Sequence, residues 1–180
     1  MQKRLFPCLS LVFMLSFSIP LFAQEALNNR PSPTSIETMK YKNTYIKITY
    51  CQPHKKGREI FGELVPYGKV WRTGANEATE ITVTKDILIG ADTLKAGTYS
   101  VFTIPTPDKW TVIFNSELGQ WGAYNYLKSS DVMRLEVKTE KVEKVVWEPF
   151  TINFEQVNSK AGLKMMWDQT MISVPIEFID

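Results

Sequence analysis

The chain has 180 residues, 44% of them apolar, 22% charged and 12% aromatic, with a formal net charge of +2. That composition describes one globular domain with a sizeable core. It excludes an intrinsically disordered chain, which would be poorer in aromatics and more highly charged, and it argues against electrostatic nucleic-acid binding, which needs a basic excess on one face.

Lys3 and Arg4 precede an uncharged apolar run, Leu5 to Ala23, and the sequence turns polar at Gln24 and Glu25. A basic start, an apolar stretch and a small residue at the boundary describe a secretory signal peptide over residues 1–23. A retained membrane anchor is the alternative, because the run approaches bilayer-spanning length. Pro7, Pro20, Ser10, Ser16 and Ser18 weaken that alternative. Cleavage implies an exported protein, periplasmic or secreted, with no stable membrane span. Losing Lys3 and Arg4 lowers the basic count from 21 to 19, equal to the 19 acidic residues. Cys51 is then the only cysteine, so no internal disulfide is expected and the core must hold the domain together.

Residues 24–37 begin with Asn28, Asn29, Pro31, Ser32 and Pro33, and are expected to form a flexible lead-in. From 38 to 180 the dominant signal is short alternating runs between turn residues. Ile46, Ile48 and Tyr50 share one face of a strand, and Thr79 to Val83 alternates in the same way. Tyr99–Ile104 and Trp110–Phe114 flank Pro105–Lys109 as a hairpin. Met133, Leu135 and Val137 face away from Arg134 and Glu136, and Phe150–Phe154 and Met171–Val174 close the series around a turn at Asn158 to Gly162. The pattern predicts an all-β domain, a single antiparallel β-sandwich of roughly nine or ten strands, jelly-roll-like or immunoglobulin-like. Two long loops, 52–76 and 116–130, interrupt it, and loops of that length in a compact domain tend to carry function.

The segments Tyr50-Cys51-Gln52-Pro53, Gly57-Arg58, Phe61-Gly62, Val65-Pro66-Tyr67-Gly68 and Trp71 to Thr79 are distinctive, as are Leu94 to Ser100 and Trp110 to Ile113. Together they resemble domain-of-unknown-function family 2911, a set of exported bacterial proteins. The resemblance runs over roughly residues 38 to 178. It implies an exported all-β domain and supplies no activity. The family more usually carries serine and a basic residue where this chain has Cys51 and Gln52.

Within the first loop, Gly74 is expected to take a positive φ and turn the chain sharply, which brings Arg72, Asn76 and Glu77 near one another. A guanidinium fork, an amide and a carboxylate hold a carboxylate or a polyol by directed hydrogen bonds. Alternatively they satisfy buried backbone at a tight turn. Arg58, Tyr67 and Trp71 would complete a pocket if the loop folds over one mouth of the sandwich, with Trp71 also suited to plug its open end. In the second loop Trp121 lies between Gly119 and Gly122. Burial in the core is expected for it, with a surface anchor as the alternative.

Cys51 and His54 form a Cys-x-x-His pair, too few ligands for a structural zinc site and without an evident third group for a nucleophile. Glu77 with Glu80, or Glu63 with either, would serve glycoside hydrolysis if held across a cleft. No phosphate-cradling loop, nucleophile elbow or dinucleotide fingerprint is present, so no cofactor and no metal is expected. Three functions remain: binding of a small polar ligand or glycan at the loop-built mouth, docking of a cell-envelope protein, and hydrolysis by carboxylates or Cys51. The first claims no chemistry beyond what these residues carry.

Overall fold

The computed structural model describes residues 30–179. The expected signal peptide and most of the expected lead-in lie outside the described residues. Twelve strands follow in order: β1 (Thr34–Tyr41), β2 (Thr44–Cys51), β3 (Thr79–Val83), β4 (Ile87–Ile89), β5 (Asp92–Leu94), β6 (Gly97–Pro105), β7 (Lys109–Asn115), β8 (Asp131–Lys138), β9 (Glu140–Lys141), β10 (Trp147–Val157), β11 (Lys160–Asp168) and β12 (Thr170–Phe178). Two antiparallel sheets result. One has the order β1-β2-β3-β6-β7-β8, and the other runs β10-β11-β12-β4-β5 with β9 beside β12. Each sheet is mostly a meander, with the β4–β5 hairpin exchanged from one to the other. That path is simpler than either expected topology.

The strand count exceeds the expected nine or ten because β4, β5 and β9 are only two or three residues long. β1 begins at Thr34, inside the stretch expected as lead-in. It pairs with β2 in unbroken register from Thr34↔Cys51 to Tyr41↔Thr44.

Alternation builds the core. Ile46, Ile48 and Tyr50 of β2 and Ile81 and Val83 of β3 are buried, as their period of two predicts. They meet Ile152, Leu163, Met165, Ile172 and Val174 of the facing sheet. Each such side chain contributes about 1.5–3 kcal/mol by leaving water. Trp71, Trp110, Phe150 and Trp167 close one end of this core, Trp71 lying 5.8 Å from Trp167 with planes at 17°. Phe102 and Ile113 point to the other face of their sheet. There Ala78, Val70, Ala123 and Tyr126 from the two long loops cover them in a second, smaller cluster. The continuous apolar run Val112-Ile113-Phe114 is therefore buried on both faces.

Candidate functional site

After Cys51 the chain leaves the sheet and is stapled to the start of β10. Phe150 N donates to Pro53 O at 2.8 Å, Lys55 N to Glu148 O at 2.7 Å and Lys56 N to Glu148 Oε1 at 2.6 Å. Arg58 then folds back on this turn, its Nε donating to Lys55 O at 3.0 Å and its Nη2 to His54 O at 2.6 Å. The loop returns through Trp71, which exchanges both backbone hydrogen bonds with Thr103 and donates its indole N–H to Gly74 O at 3.0 Å. Trp71 is 7% exposed and is the expected plug.

The tight turn that follows differs from expectation in its mechanism. Gly74 does not carry the positive φ; Thr73 and Asn76 do, both at 55°. Gly74 is required for closeness instead, since a Cβ there would stand 2.9 Å from the Cys51 carbonyl oxygen. Asn visits this region readily, but for β-branched Thr73 it is a strained conformation, costing on the order of 1–3 kcal/mol. Buried bonds hold it: Thr73 Oγ1 lies 3.1 Å from Thr103 Oγ1, and Thr73 O accepts from Thr79 Oγ1 at 2.6 Å.

The turn delivers Arg72 and Asn76 to the same cavity as Arg58. This space, about 260 Å³, has Trp71 and Trp167 at its base and Arg58, Arg72, Asn76 and Ser32 among its walls. Arg58 is exposed at the rim, whereas Arg72 is half-buried. Its Nε is fully buried with no hydrogen-bond partner. Neither guanidinium is in an ion pair with any described residue. The nearby carboxylates are already engaged: Asp168 pairs with Lys55, and Glu77 pairs with Arg30. Asn76 donates its Nδ2 to Ser32 O at 3.3 Å, which fixes the segment before β1 as part of the wall.

Glu77 belongs to a neighbouring cavity of about 340 Å³, lined also by Tyr50, Cys51, Glu80 and Gly119. Arg30 Nη1 donates to both Glu77 oxygens, at 2.7 and 2.9 Å, and the Cys51 thiol donates to Oε2 at 3.3 Å. The Arg30 hydrogen bond, assisted by a backbone N–H, holds the Glu77 carboxyl below the usual carboxylate range. A proton-donating acid needs the opposite shift. Glu80 accepts from Gly119 N at 2.8 Å, and Glu63 is exposed elsewhere in the loop. Cys51 bonds to Glu77 and Thr34, and no hydrogen bond joins it to His54 among the described residues.

Two further expected site residues lie apart from the arginine cavity. Tyr67 is 42% exposed, packs over Gly62, and lines a separate depression with Glu59 and Asp168. Trp121 was expected in the core and is instead 58% exposed. A backbone bridge between Glu77 and Trp121, with Ala78 N donating to Gln120 O and Gly122 N to Asn76 O, locks its loop to the first. With the backbone held so, and Gly122 at φ 71°, the indole is left outside. Arg30, Ser32 and Trp167 were not foreseen as site residues, because their partners lie far away in sequence and no local pattern marks them.

The profile of the family described as "Protein of unknown function (DUF2911)" matches residues 32–176. The chain belongs to this family. Comparison with curated proteins and with solved structures found no match. The family match takes in both long loops, all of β1 and the two residues before it, so every residue lining the arginine cavity lies within it. No helix of the described residues is long and apolar enough to cross a membrane.

Proposed function

We infer that this is an exported β-sandwich that binds a small polar ligand, or the end of a glycan, at the mouth lined by Arg58, Trp71, Arg72 and Asn76. One observation carries the reading: these four residues line a single cavity whose two guanidiniums have no ionic partner within the described protein. Directed donors around an aromatic base are how small polar ligands are oriented. Strain at Thr73, beside the site, fits a loop shaped for recognition. Export rests on the basic and apolar residues of 1–23.

A thermal-shift screen against sugars, carboxylates, peptidoglycan fragments and divalent metals tests this, with Arg72→Ala alongside. A ligand at 100 times its Kd adds about 2.7 kcal/mol of stability, seen as a raised melting temperature. The expected result is a hit that the folded variant loses. A blank panel sinks the reading.

A second reading, docking of an envelope protein, is favoured by the outer loop alone. Leu118, Trp121, Tyr124 and Leu127 are all exposed there, Tyr124 by 83%. Large apolar side chains on an ordered loop are typical interface anchors. Loss of a pulled-down envelope protein on Tyr124→Ala, with small-ligand binding intact, would separate the two.

A further inference from the structure

The donors of the arginine cavity differ in what they have left to give. The Trp71 indole N–H is committed to Gly74 O, and an Asn76 amide N–H to Ser32 O. Arg58 is braced through Nε and Nη2 on two backbone carbonyls. Its Nη1 has no protein partner among the described residues. Arg72 is the less satisfied of the two, with Nε buried and unbonded. A guanidinium does not lose its proton in a protein, so neither the buried N–H nor the repulsion between two cations is relieved by titration. No carboxylate lines the cavity, and Asp168 and Glu77, next in sequence to its residues Trp167 and Asn76, are paired with Lys55 and Arg30. A neutral polyol offers hydroxyls that both donate and accept, and matches a wall of mixed groups. This wall has surplus donors and surplus positive charge, which a bound oxyanion satisfies together.

We propose that the Arg58/Arg72 cavity is an oxyanion site, holding a carboxylate or phosphate group on the part of the Arg72 guanidinium that faces it, with Arg58 closing from the rim. The proposal deepens the binding reading and rests on it. At about 260 Å³ the space lies just below that of drug-sized ligand sites, roughly 300–1,000 Å³, so it suits a sugar acid or the acidic end of a longer chain.

Calorimetric titration of the purified protein at low ionic strength with glucuronate, inorganic phosphate and glucose tests this. Glucuronate or phosphate should bind at least about ten-fold more tightly than glucose, and Arg72→Gln should lose about ten-fold or more of that affinity with its fold retained. Arg58→Gln should lose less, and Trp121→Ala nothing. A preference for glucuronate assigns a carboxylate and a preference for phosphate a phosphoryl group, and either supports the site. If Arg72→Gln does not fold, the Arg72 Nε–H resonance of the wild-type protein reports the same contact by shifting as phosphate or glucuronate is added. Glucose binding as tightly as glucuronate, with that resonance unmoved by either anion, overturns the oxyanion assignment but leaves a polar binding site. Absence of binding by all three probes overturns both.

Discussion

The two long loops differ in composition, the first being rich in charge and the second in aromatics, and they have opposite habits. The first, residues 52–78, turns Ile60, Val65 and Trp71 into the main core and Ala78 into the smaller one, leaving Leu64 and Tyr67 as its exposed large apolar side chains. What it leaves facing solvent at its mouth is cationic, Arg58 and Arg72. The second, residues 116–130, does the reverse. It sends Ala123 and Tyr126 down and leaves Leu118, Trp121, Tyr124 and Leu127 outside. The difference lies in what anchors each loop. An aromatic cluster holds the first. The second hangs on polar groups: buried Asn115 donates its Nδ2 to Leu127 O and Asp131 Oδ1 while its Oδ1 accepts from Glu117 N. Tyr126 and Arg134 both donate to Asp131 Oδ2, and burial, then Asp131, pushes the Tyr126 phenol up to about 12. A loop anchored by hydrogen bonds at its ends has no need to bury its tip. Its aromatics remain available for contact.

The comparison breaks first at the anchors. Trp71→Ala should cost about 3–5 kcal/mol in urea unfolding, since it empties the centre of a packed aromatic cluster. Asn115→Ala should cost about 1–3 kcal/mol by stranding buried partners. Hydrogen exchange should localise that loss to residues 116–130 and spare the arginine cavity. Tyr124→Ala, at the exposed tip, should change stability by less than about 0.5 kcal/mol.

The smallest effect belongs to the Arg30–Glu77 tie. The folded Glu77 carboxyl is held below its ordinary range. The tie is therefore fully present above that ordinary range and is lost only as pH falls through the lowered value. Titrating the Glu77 carboxyl by NMR should show its midpoint rising toward the ordinary range in Arg30→Ala. An unchanged midpoint would mean that Arg30 does not hold it.

Much of the scaffold was legible in the sequence, because β2, β3 and β8 alternate and Pro105–Lys109 marks the hairpin of the apolar strands β6 and β7. β11 was not. Ala161, Gly162, Met165 and Met166 have weak strand preference, and it was the neighbouring β10 and β12 that made a strand of it. β1 was hidden by the prolines before it, although Thr34 onward pairs throughout. Of the candidate site, Arg58, Trp71, Arg72 and Asn76 were legible as a group because they share one Gly- and Pro-rich loop. Their separation from Glu77, Tyr67 and Trp121 was not, because it depends on backbone bridges between the two loops and on a strap at residues 30–33 with distant partners. Gly74 shows the limit most plainly: its need was visible, but whether it served φ or closeness depended on where Cys51 O came to lie.

The central claim is that the Arg72 guanidinium is kept for a ligand and not for the fold. Urea unfolding of Arg72→Met beside the wild type, in buffer free of oxyanions, tests it most directly, since methionine preserves the apolar stem and removes only the charge. With no protein acceptor for Nε, the variant should be as stable as the wild type within about 0.5 kcal/mol, or more stable. A loss of about 2 kcal/mol or more would show that the guanidinium supports the structure itself, and would contradict the account.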